Sequence, residues 1–188
     1  MDRIVFDIET KNSFADVGGQ QNLRALDASV VGVYSYANNT YRCFEEHEFP
    51  ELGDILKRTH LLIGFSSKRF DVPVMEKYFS FNLAAVPHMD ILEEIEKTLG
   101  RRIGLGVLAE ANINAGKTGH GMEAIDLYRQ GEIEKLKAYC LQDVKLTKEI
   151  YDLICARQYL WIPERNTTTM KKLMLSYKEE VSAQTGFL

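Results

Sequence analysis

Apolar and polar side chains alternate from the start of the chain, with Ile4, Phe6 and Ile8 set between Val5, Asp7 and Glu9. A period of two is the spacing of a strand, so residues 3–9 are expected to form one. Residues 10–27 carry Gly18-Gly19 and many polar positions and read as a long loop with one helical turn. Residues 29–37 (SVVGVYSYA) and 40–45 predict two more strands, with Asn38-Asn39 as a two-residue hairpin turn between them. Pro50 opens a short helix that runs to residue 58. The continuous apolar run 60–65 (HLLIGF) fits a central strand.

Further along, residues 71–79 read as helix and 85–89 as a short strand. Helices are expected at about 90–99, 105–112, 121–130 and 132–158. The last carries Ile133, Leu136, Cys140, Val144, Leu146, Ile150 and Ile154, close to a 3.6 period. Pro163 and a polar run predict a break over 161–169, with a C-terminal extension beyond. Consecutive strands followed by mixed strand and helix predict a layered α/β fold, its sheet antiparallel through the first three strands. One domain over residues 1–160 is expected, with residues 161–188 as an extension of it.

Composition narrows the function less than the pattern narrows the fold. The chain has 188 residues, 45% hydrophobic and 27% charged, ordinary for one globular domain. Its formal charge of −4 argues against broad nucleic-acid binding through a basic face. An acidic balance is nevertheless compatible with a site that holds divalent metals, which needs carboxylates. Cys43, Cys140 and Cys155 are odd in number and form no CxxC pair, so reduced thiols are expected. With no leader pattern and no membrane-length apolar run, a cytoplasmic protein is expected.

Candidate chemistry is acidic. Asp7 and Glu9 lie two apart on a strand, so both point to one face, roughly 7 Å apart at Cα, and can reach one cation. A solvent-facing edge strand would show the same pattern. Asp143 sits at the border of the apolar stripe, four residues after Tyr139, so the two share a helix face. A carboxylate set against a core needs a partner, which a metal, a lysine or an arginine would supply. Asp71 follows an apolar strand and a small-residue turn, and could be a plain helix N-cap.

Three segments taken in order say more than any one: VFDIET (5–10), GFSSKRFDVPVM (64–75) and YCLQDVKLT (139–147). Together they resemble the DEDD exonuclease superfamily, over residues 1 to about 155. The chain is most similar in flavour to stand-alone relatives of the exonuclease domain of family B DNA polymerases. The resemblance implies a ribonuclease H-like fold and 3'-5' exonuclease activity on single-stranded nucleic acid, DNA favoured over RNA, with release of nucleoside 5'-monophosphates. It implies two divalent ions, Mg2+ or Mn2+, held by Asp7, Glu9, Asp71 and Asp143. Tyr139, where another branch has a histidine one position earlier, places the chain with the tyrosine (DEDDy) branch. The second segment usually carries an asparagine where this chain has Ser66.

Thr10, Lys11 and Phe14 follow the first segment and could line the 3' end. Phe14 or Phe70 could stack a base; Arg69, Lys117 and His120 could meet phosphates, with Ser66 nearby. A packed aromatic or a solvated charge is the plain alternative at each. Ala115-Gly116-Lys117-Thr118 resembles part of a P-loop but lacks the earlier glycine and the preceding strand. His47, His60, His88 and His120 show no zinc spacing. Asp90 reads as a cap of the helix after it. The rival to an enzyme is a nuclease-like module that binds nucleic acid or a protein and no longer cuts.

Overall fold

In the computed structural model of the chain, residues 2–116, 121–165 and 169–175 are described. A five-stranded sheet forms the centre, built from β1 (Asp2–Thr10), β2 (Ala28–Ser35), β3 (Thr40–Glu45), β4 (Thr59–Gly64) and β5 (His88–Asp90). Its order is β3-β2-β1-β4-β5. The pairs β1–β2 and β2–β3 are antiparallel, whereas β1–β4 and β4–β5 are parallel. The layered α/β fold and its antiparallel opening strands are as expected from the sequence. The hairpin loop differs: β2 ends at Ser35, so four residues, 36–39, make the turn. Asn39 takes the left-handed conformation there (φ 53°), which asparagine tolerates.

The two faces of the sheet are covered by different helices. On one, Ile4, Phe6, Ile8, Val31 and Leu62 pack with α1 (Phe49–Lys57) and α2 (Asp71–Met75). Helix α2 is shorter than predicted, because the chain tightens into a 3-10 turn at Glu76–Tyr78. On the other, Val5, Ile63 and Met89 pack with α3 (Ile91–Leu99), α4 (Leu105–Ile113) and the 25-residue α6 (Ile133–Arg157). Helix α5 (Gly121–Arg129) lies against α6 through Ala124 and Leu136. The buried stripe of α6 includes Leu136, Cys140, Val144, Ile150 and Ile154, as the 3.6 period predicts.

The break expected over 161–169 is corrected in part. Helix α6 ends at Gln158, left-handed at φ 57°, and the chain turns directly into β6 (Tyr159–Pro163). Strand β6 pairs antiparallel with β7 (Met170–Met174) as a separate two-stranded sheet. Leu160, Ile162, Leu173 and Leu175 join the core beneath α6. Pro163 is tolerated because it sits at the strand's end. The predicted tail from 176 onward, and Lys117, Thr118 and His120, lie outside the described residues. The P-loop look-alike has helix α4 before it rather than a strand, which the motif requires. Among the described residues no helix is long and apolar enough to cross a membrane.

Candidate active site

Strand β1 lays out the first two carboxylates. Its odd-numbered side chains share the α6 face, where Val5 is core. Pairing of β1 with β4 runs only from Asp2 to Val5, so Asp7 and Glu9 continue the row past the end of β4. Two parallel strands therefore open a crevice at their carboxyl ends, where open α/β sheets bind ligands. These residues are thus not on a solvent-facing edge strand, as β1 is central and Glu9 is 7% exposed.

Gly32 brings the third carboxylate in. It lies opposite Asp7 on β2. A Cβ there would stand 2.9 Å from Val144 Cγ2 and 3.0 Å from Cys140 Sγ, so only a glycine lets α6 lie this close to the sheet. The Cys140 thiol bridges the two strands: Gly32 N donates to Sγ at 3.2 Å, and Sγ–H donates to the Asp7 carbonyl at 3.5 Å. Hydrogen bonding with Cys43, together with burial, pushes the Cys140 thiol well up, so it stays a protonated donor. One turn of α6 further on, Asp143 is carried to β1, and oxygens of Asp7, Glu9 and Asp143 lie within 4.8 Å of one another. Asp143 is 4% exposed.

Asp71 arrives from the other side of the sheet. It opens α2 but does not cap it; its Oδ1 accepts from Ile8 N, between Asp7 and Glu9, at 3.1 Å. The N-cap reading is thereby replaced by a tie to the strand that carries the site. Burial, with smaller effects from Asp90 and Asp143, pushes the Asp71 carboxyl up to about 7, against hydrogen bonds that lower it.

The loop leading to Asp71 is fixed by Asp90. Its carboxylate accepts from Ser66 N (2.9 Å), Lys68 N (3.0 Å) and Glu93 N (3.2 Å). The last bond is the predicted cap of α3; the first two hold the loop, a role with no local sequence signal. Ser66 is left-handed, φ 64°. Asparagine enters this region more readily than serine, so the backbone here does not itself favour the serine. Below the loop, fully buried Ser67 hydrogen-bonds His88 Nε2 through its hydroxyl at 2.8 Å.

His88 yields a pH prediction. Burial lowers its pKa to about 4, below the ordinary 6.5. The imidazole must be neutral in the fold, so its contribution is complete above pH 6.5 and is lost as pH falls toward 4. His88→Gln should flatten that loss. Unfolding free energies from urea titration should fall between pH 7 and pH 4.5 by on the order of 2 kcal/mol more in wild type than in the variant. Parallel pH profiles would refute it.

Two lobes meet at the carboxylates, with Asp7, Phe65 and Asp143 lining both. The smaller, about 450 Å³, is walled by Glu9, Phe14, Gln20, Phe70, Asp71 and Arg102. The larger, about 1050 Å³, runs past Leu105, Val107 and Glu110 to Pro163 and Met170. Among the predicted substrate contacts, Phe14, Ser66, Arg69 and Phe70 line the smaller lobe. Phe14 and Phe70 meet edge to face, 6.0 Å between ring centres. Arg69 is paired with Glu96 at 2.6 Å. Thr10 and Lys11 line neither lobe: the Thr10 hydroxyl donates to Asn12 O, and Lys11 pairs with Glu46. Tyr139 packs beside Cys140 and Leu136, a turn before Asp143, and also lines neither lobe. Arg102 and Gln20 were not singled out from the sequence, because only the fold brings them to the groove. Arg102 donates to Ser66 Oγ at 3.0 Å.

The carboxylates suit a hard divalent cation. Three of them within 4.8 Å, two buried, repel one another, and oxygen-only donors match magnesium or manganese chemistry.

A mixed sheet between two helical layers, with acids gathered at its central strand, defines a ribonuclease H-like α/β domain. The chain belongs to the RNase H superfamily, whose sequence model matches residues 4–155. No curated protein matches. Among solved structures, it is similar to the family B DNA polymerase of the hyperthermophilic archaeon Pyrobaculum calidifontis, with TM-score 0.63 and 16% identity over 82% of this chain. The chain spans 24% of that polymerase, so what they share is the fold. Family and acidic cluster together support a nuclease that acts on nucleic acid.

Proposed function

We propose that the chain is a metal-dependent 3'-5' exonuclease that removes nucleoside 5'-monophosphates from single-stranded nucleic acid, with DNA favoured over RNA. The observation that carries it is the convergence of Asp7, Glu9 and Asp143, with Asp71 tied to the same strand, at the junction of two lobes. Polarity and the preference for DNA rest on the three sequence segments and their resemblance to DEDD exonucleases.

Asp7, Glu9 and Asp143 would hold one divalent ion, and Asp7 with Asp71 a second. Ions bound there supply an acidified water and relieve charge on the leaving oxygen. The chain's own groups do the placing. Asp7 lies between the two lobes, and Ile8 N holds Asp71 in a fixed orientation. Phe14 and Phe70 wall the smaller lobe and would exclude water from a terminal nucleotide seated there. Tyr139, on the turn before Asp143, would orient the attacking water by its hydroxyl.

The rival is a nuclease-like module that binds nucleic acid or a protein and does not cut. Matched DNA and RNA oligomers, with free and blocked 3' ends, decide between the two. With magnesium or manganese, mononucleotides should appear from the free-ended DNA and not from the blocked strand. Binding without any release in either metal would establish the module instead.

A further inference from the structure

Strand alternation divides the β6–β7 hairpin into two faces. Leu160, Ile162 and Leu173 point into the core, while Tyr159, Trp161, Pro163, Met170, Lys172 and Met174 share the opposite face. That outer face is unusually apolar for an exposed surface, with Trp161 37% and Met170 46% exposed. It is also cationic. Lys172 Nζ stands 3.9 Å from the centre of the Tyr159 ring and the Arg157 guanidinium 4.9 Å. The Tyr159 and Trp161 rings meet edge to face at 5.9 Å.

The face continues into the groove. Pro163 and Met170 belong to it and also line the larger lobe, which reaches Asp7 and Asp143. The hairpin is held rigidly in that position. Trp161 N donates to Asn112 Oδ1 and Asn112 Nδ2 donates back to Trp161 O, each at 2.8 Å. The α4 side chain thus imitates a neighbouring strand. Arg157 donates to the same Oδ1 at 2.8 Å, and Arg101 donates to Pro163 O at 2.8 Å.

We propose that this outer face, with Trp161 at its centre, is a stacking platform for bases of the single strand lying 5' to the bond that is cut. The inference rests on the nuclease reading above. An aromatic surface flanked by cations suits single-stranded nucleic acid, because stacking accepts any base and the cations meet the backbone. Arg157 and Lys172 bring positive charge here in a chain of net charge −4. Glu110, on the α4 wall of the same lobe, repels phosphates and directs the backbone toward the hairpin side. The smaller lobe then takes the terminal nucleotide, and the larger carries the strand outward over the hairpin.

Trp161 is the chain's only tryptophan, so its emission reports on the platform directly. The probes are a dinucleotide and a dodecanucleotide of thymidine, 5'-labelled and with uncleavable phosphorothioate linkages. Anisotropy follows binding while indole emission is read. The dodecanucleotide should quench the emission and the dinucleotide should not. Trp161→Ala should weaken dodecanucleotide binding about tenfold, leave dinucleotide binding unchanged, and be largely rescued by Trp161→Phe. Dodecanucleotide binding with unaltered emission, and equal affinity in Trp161→Ala, would overturn the platform and leave the nuclease reading standing. Absence of binding to either probe, together with absence of cleavage, would overturn the nuclease reading and the platform with it.

Discussion

Replacing Asp7 by asparagine is expected to lower metal-dependent phosphodiester hydrolysis by about a thousandfold or more while the protein remains folded. Asp7 is shared by every part of the site. Its oxygens lie with those of Glu9 and Asp143, and it lines both lobes. The amide keeps its shape and removes its charge. Loss of one of three crowded carboxylates relieves repulsion, so the metal-free variant should melt at or slightly above the wild-type temperature. The rise in melting temperature on adding manganese should shrink or vanish. Turnover within a few-fold of wild type would remove Asp7, and the proposed arrangement with it, from the chemistry.

Gly32→Val should have the largest effect on stability. Even one added carbon stands 2.9–3.0 Å from Val144 and Cys140, and Leu141 Cδ2 is at 3.3 Å. The isopropyl group must push α6 off β2, at a cost of about 3 kcal/mol, the upper end for overpacked cores. Activity should fall further than the loss of folded protein explains, because the same shift withdraws Asp143 from Asp7. Combining it with Val144→Ala makes room and should recover part of both losses, measured by urea unfolding and mononucleotide release. A Gly32→Val protein as stable and active as wild type would show that close helix–sheet contact is not what places Asp143.

Much of this was readable from local pattern. The period of two in β1 put Asp7 and Glu9 on one face, and the period of α6 put Asp143 at the border of a buried stripe. The sequence could not tell whether that face met solvent or a helix, since a central and an edge strand can share a pattern. Asp71 looked like a cap because a cap and a tie to a distant strand begin with the same residue. Its true partner, Ile8, is 63 positions away. The hairpin was missed because each strand has five residues, with Pro163 closing the first. Its alternation, Leu160 and Ile162 against Tyr159 and Trp161, was a signal that could have been used. Gly32, Asn112 and Arg102 gave no signal, for their roles exist only across the folded molecule. Lys11 shows the reverse case: a candidate by position to line the 3' end, it is taken up by Glu46.

The site also straddles two separate cores. Asp143 hangs from the packing of α6 on one face of the sheet, and Asp71 from the packing of α2 on the other. Strands β1, β2 and β4 contribute to both, and of these β1 carries Asp7 and Glu9. A chain with one core formed and the other loose would hold at most part of its carboxylate set, so hydrolysis would report completed folding rather than mere compactness. Partly folded chains would be harmless to the nucleic acids around them.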